Sequence, residues 1–220
     1  MRTIARSVAG LALAAAALAA ATACTSSQSP GTFTPGGGTS VAATAGQSGA
    51  GQAGPQFVMP PFGPNVHIEM TAWLPGNAAQ RQAVITDKDY ELAFLYSEYK
   101  GGQDQGWVSY VSSKMQPAVT QVLRAKNVTT ESFKGTIRYF DMRVIPDPLV
   151  HGDFDVSSCF DNAGAQNTNL TTGTVLPDTS SPDSHYVRVT DELRKNSAGQ
   201  WQVVSSLPAV YYPNAKECKP

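Results

Sequence analysis

The stretch from Ser184 to Cys218 constrains this chain most, because it reads as strand, turn, strand and a tail that ends on a cysteine. From Tyr186 to Leu193, Val187, Val189 and Leu193 fall on one side, and Tyr186, Arg188, Thr190 and Glu192 on the other. That is the period of a half-buried strand. Asn196-Ser197-Ala198-Gly199 is turn chemistry, since Asn and Gly accept positive φ. Trp201-Gln202-Val203-Val204 restarts a strand, which Pro208 limits. A hairpin is not stable alone in water, so the rest of the chain must supply a second layer.

The upstream sequence predicts that layer. Asn77 is placed as an N-cap. Ala78 to Lys100 has no Pro or Gly, and Val84, Ile85, Leu92, Leu95, Tyr96 and Tyr99 form one helical stripe. Arg81, Lys88, Asp89 and Glu91 fall mostly off that stripe. Gly101-Gly102 ends the helix. Asp104 caps a short turn through Trp107, and a second helix is expected over Ser113 to Lys126, with Met115, Val119, Val122 and Leu123 inward. Before the helices, Val66 to Trp73 reads as an edge strand or an extended cover. From Thr130 the period changes to two. Thr136 to Ile145 is the longest expected strand, with Phe140, Met142 and Val144 on one face and Ile137, Tyr139 and Ile145 on the other. Asp153 to Asp161 follows, then a polar hairpin tip over 162–172. Helices followed by about four antiparallel strands predict an α+β roll.

The N-terminus carries a different signal. Met1 to Arg6 is basic, an Ala/Leu run continues to Ala23, and Cys24 follows. This is the pattern of a secretory signal, and the run is short for a span of ~20 apolar residues. Ala21-Thr22-Ala23-Cys24 resembles the lipobox of bacterial lipoproteins, with Ala21 where Leu is usual. The resemblance implies a signal peptide over 1–23 and lipidation of Cys24. Ordinary signal cleavage is the other reading. Residues 24–56 then form an uncharged Gly/Ser/Thr/Pro tether, and residues 57–220 the folded domain, enough for one core. The implied location is the outer face of the cell membrane, reached through the lipid anchor.

Cys159 and Cys218 remain, an even pair in an oxidising compartment. A disulfide is expected between them, closing 59 residues for about 4 kcal/mol of chain entropy. Two free thiols are the alternative. Neither has a zinc-ligand partner at the usual spacing, so no metal is expected, and no cofactor motif is present. With 16 basic and 17 acidic residues, the chain has no nucleic-acid footprint.

Cys159-Phe160-Asp161 within a strand, the Gly199-Gln200-Trp201-Gln202-Val203 hairpin and the terminal Cys218 together resemble exported actinobacterial proteins of the NTF2-like superfamily. That superfamily includes SnoaL-type cyclases and ketosteroid isomerases. The resemblance implies a cone-shaped roll, with N-terminal helices packed on a curved antiparallel sheet and a pocket between them. Tyr96, Tyr99, Tyr139 and Trp107 are the expected lining.

Three functions follow as alternatives. The first is a non-catalytic domain binding a small apolar ligand or an envelope protein. The second is an isomerase- or cyclase-like enzyme, with Asp141 as its candidate base. The third is an assembly domain docking by its sheet. The enzyme needs a carboxylate or His with a perturbed pKa in the pocket. The binder needs a cavity of several hundred Å3. The assembly domain needs an exposed apolar patch. For Asp141 the competing assignment is an outer-face ion pair with Arg143 or Arg188. His67, His151 and His185 each sit near a Pro or in a loop-like context; His151-Gly152-Asp153 reads as a solvated loop, with a proton relay as the alternative.

Overall fold

The computed structural model describes residues 31–33, 61–125, 129–146 and 152–219. The expected signal peptide, Cys24, most of the tether and His151 lie outside the described residues. The elements run β1 Gly31–Phe33, β2 Val66–Ala72, α1 Ala78–Tyr99, α2 Gln116–Ala125, β3 Glu131–Pro146, β4 Phe154–Asn169, β5 Tyr186–Lys195, β6 Trp201–Ser206 and β7 Val210–Tyr211. A 3-10 turn at Gly106–Tyr110 joins the helices.

Capping sets the ends of α1. Asn77 Oδ1 accepts from the N–H of Ala79 at 2.9 Å and of Gln80 at 3.1 Å, satisfying donors the helix leaves open. Gly101 and Gly102, both at positive φ, end it. α1 packs on the sheet and on the 3-10 turn. It buries Val84, Leu92 and Leu95, and also Asp87, Asp89 and Glu91. The sequence put Asp89 and Glu91 off the apolar stripe, and both are inside. In α2 the expected inward set divides: Val119 and Leu123 are buried, and Val122 is exposed.

The strands form one sheet in the order β1-β2-β3-β4-β5-β6, with β7 added to β5. The α+β class holds, but among the described residues the sheet is mixed and seven-stranded, not antiparallel with four strands. β2 pairs parallel to β3, because both helices lie between them and carry the chain back across the sheet, as a parallel pair requires. β1 comes from three residues of the expected tether and pairs with β2. The polar stretch expected as a hairpin tip is strand as far as Asn169. It pairs with Glu131–Thr136 in β3.

A bulge interrupts β3. Phe140 pairs with Cys159 and Arg143 with Ser157, so Asp141 and Met142 together face Ser158. Asp141 has φ 52°, the conformation that absorbs an extra residue. The faces therefore swap after Phe140. Ile137, Tyr139, Met142 and Val144 join the core, while Ile145 is exposed. At the far end of β3, Gly135 has φ 99°, and a Cβ there would lie 2.2 Å from the Gly164 carbonyl oxygen. Only glycine fits that approach.

Cys159 and Cys218 sit at bonding distance, with Cα atoms 5.0 Å apart, and both are fully buried. The bond ties the C-terminal tail to the outer face of β4.

Candidate functional site

A cleft of about 1050 Å3 opens between the second half of α1, α2 and the inner face of β3 to β6. Its walls are mainly apolar: Phe94 and Leu95 from α1, Met115 and Val119 at α2, and Phe160, Val187 and Val189 from the sheet, with the charged Glu98, Lys114, Glu192 and Arg194 also on its lining. Its polar floor is Glu91, Tyr139, Asp191 and Ser206. Local geometry brings these together. Asp87 and Glu91 are four apart on α1 and share a face. Asp191 continues the inward alternation of Val187 and Val189 along β5. Tyr139 is the last inward residue of β3 before the bulge.

The floor is a bonded group of carboxyls and hydroxyls. Tyr139 Oη donates to Glu91 Oε2 at 2.7 Å, and Ser206 Oγ donates to Asp191 Oδ1. Asp87 lies behind, 2% exposed. It lies beside Asp191 and Glu91, and its Oδ1 has no hydrogen-bond partner among the described residues. Burial pushes the Asp87 carboxyl well above its ordinary range, and the negative charges of Asp191 and Glu91 push it further. Burial also raises Asp191, against the hydrogen bonds from Ser206, Asp87 and Glu91. Burial and the Glu91 charge raise the Tyr139 phenol, which stays a neutral donor. Like charges gathered in a buried site oppose one another's ionisation, which is why the Asp87 carboxyl is raised. Such a floor can donate and accept hydrogen bonds and can move a proton among its members.

Of the expected lining residues, Tyr139 is in this cleft. Tyr96 and Tyr99 pack instead with Phe62, each at 5.4 Å between ring centres. Tyr99 borders a separate depression of about 470 Å3 beside Lys100 and Lys134. Trp107 is 1% exposed and belongs to the core, because the 3-10 turn points it under α1. Asp141 is no base for the cleft. It sits exposed on the bulge, paired with Arg143 and, at 3.5 Å, with Arg188. His67 is exposed, and His185 meets Asp178 at 3.2 Å and Asn162 at 2.9 Å. Among the described residues no group of three or more His, Cys, Asp or Glu has the geometry to hold a metal ion.

Sequence reasoning missed Asp87, Asp191 and Ser206, and misplaced Glu91. The signal was present as acid residues at core positions: Asp87, Glu91 and Leu95 follow Val84 at helical spacing, and Asp191 falls between Val189 and Leu193.

No protein-family model matches the chain, and no curated protein matches it. Among solved structures, a ketosteroid isomerase-like protein from Erwinia carotovora atroseptica is similar at 15% identity and TM-score 0.38, covering 59% of this chain and 95% of that one. A protein from Catenulispora acidiphila is similar at 8% identity and TM-score 0.42, covering 64% of this chain and 99% of that one. Scores this low carry no function.

Proposed function

We propose that the domain binds a small, mainly apolar molecule in the cleft, with one polar head at Tyr139, Glu91 and Asp191. The observation that carries this is the pairing of a large, mainly apolar-lined space with a small bonded polar floor, the usual make-up of a ligand site. A floor that already holds both donors and acceptors suits a hydroxyl, carbonyl or amine head. In this reading the chain is an NTF2-like, lipid-anchored protein held at the outer face of the membrane through Cys24. The basic start, the apolar run and Ala21-Thr22-Ala23-Cys24 support the anchor. The bonded cysteine pair supports an oxidising location. Among the described residues no helix is long and apolar enough to cross a membrane.

Mass spectrometry of protein taken from its native envelope tests both parts. A diacylglyceryl mass on an N-terminal Cys24 is expected, together with a non-covalent ligand of a few hundred daltons. An unmodified N-terminus at or beyond Cys24 removes the anchor, and a ligand-free protein from every preparation counts against the binder.

The carboxyl group favours a second reading, proton transfer on the bound ligand. Asp191 would take a proton α to a carbonyl while the Tyr139 hydroxyl steadies the oxyanion. Exchange of the α-hydrogens of 2-tetralone in D2O should then be faster with the wild-type chain than with Asp191→Asn. Equal rates rule out this reading.

A further inference from the structure

We propose that the segment from Leu207 to Cys218 is a latched wall of the cleft, so that a bound ligand and the Cys159–Cys218 bond stabilise each other. This rests on the reading of the cleft as a ligand site. Leu207, Ala209 and Tyr211 line the cleft. Tyr211 pairs with Val187, and residues paired across antiparallel strands share a face, so both point inward. The sheet pairing that holds this wall is two residues long. Beside it stand two backbone bonds, Leu207 N–H to the Thr190 carbonyl at 2.9 Å and Tyr212 N–H to the Tyr186 carbonyl at 3.0 Å. Such a short edge pairing opens easily by itself.

The latch is on the opposite face of the sheet. Past Tyr212 the chain crosses behind β5 and reaches Cys218, which is bonded to Cys159. Arg188 lies beneath the crossing. Its Nε donates to Glu217 Oε1 at 2.8 Å and its Nη1 to Ser157 Oγ at 2.9 Å. Upstream, the same segment continues from Ser206, whose hydroxyl bonds Asp191 on the cleft floor. One stretch of backbone thus joins the disulfide to both the wall and the floor.

Both sulfurs are fully buried, so a reductant reaches them when the segment lifts. A ligand packed on Leu207 and Tyr211 favours the closed segment and protects the bond. By reciprocity, breaking the bond weakens the ligand by the same factor. Reduction by a dithiol is balanced: two electrons and two protons leave the dithiol, which becomes a disulfide, and Cys159 and Cys218 become thiols.

The test uses the full chain and N-phenyl-1-naphthylamine, a neutral apolar fluorophore. Dithiothreitol-reduced protein and Cys218→Ser should bind it about tenfold more weakly, with unchanged far-UV circular dichroism. Saturating probe should slow reduction of the wild-type disulfide and shift its potential by about 30 mV. Equal affinity of the oxidised and reduced forms, or a reduction rate and potential indifferent to probe, overturns the latch. If Cys218→Ser does not fold, the wild-type reduction measurement decides. Failure of the oxidised chain to bind the probe overturns the cleft reading itself.

Discussion

A carboxyl on the apolar face of a strand must find partners or keep its proton. Asp191 finds Ser206, Asp87 and Glu91, and burial and the charges of Asp191 and Glu91 raise the Asp87 carboxyl behind it. Both pKa values lie above the ordinary 3.8, so the folded chain binds these protons better than the unfolded one. Their contribution to stability is full below about pH 4 and fades as pH rises through the folded values. Asp87→Asn keeps a neutral side chain at every pH. Urea unfolding from pH 5 to 8 should therefore show the variant gaining on wild type as pH rises. A variant that loses ground with rising pH contradicts the assignment. Part of this was legible. Asp191 occupies an inward position of an alternation the sequence displays, and Asp87 and Glu91 keep helical spacing with Val84 and Leu95. A helix with mixed stripes does not announce which one faces the sheet, so the outward assignment of Glu91 was natural and mistaken.

At the scale of elements, one inserted residue redirects half of β3. Strict alternation groups Phe140 with Met142 and turns Ile145 inward, whereas the bulge at Asp141 buries Met142 and exposes Ile145. Met142→Ala should cost about 2–5 kcal/mol, and Ile145→Thr should stay within about 0.5 kcal/mol, both read by urea unfolding. Equal costs would restore strict alternation. The bulge was hidden because a non-glycine residue occupies it. The far half of β4 was hidden for another reason. It lies at the half-solvated end of the sheet, where pairing with β3 needs no apolar alternation. The parallel pairing of β2 was beyond local pattern altogether, since its partner stands on the other side of both helices.

At the scale of the molecule, the two helices ahead of β3 to β6 and the cysteine pair were readable in the sequence, whereas β1 and β2, which precede the helices, break the expected order of helices before strands. The cleft lies between the helices and the sheet, where the resemblance implied a pocket, but most of the side chains that line it were not readable. Aromatic residues in a helix and a strand fill a core as readily as they line a cavity, and Trp107, Tyr96 and Tyr99 fill or border other parts of the molecule. What remains is a sheet half covered by α1, with α2 and the tail standing apart to leave an apolar space over a carboxyl floor. Amide shifts recorded while the oxidised chain is titrated with N-phenyl-1-naphthylamine test that arrangement most directly. Saturable shifts centred on Glu91, Tyr139, Val187 and Asp191, with Tyr99 and Trp107 unmoved, are expected. Shifts that never saturate, or that centre on the Tyr96 and Tyr99 face, would contradict it.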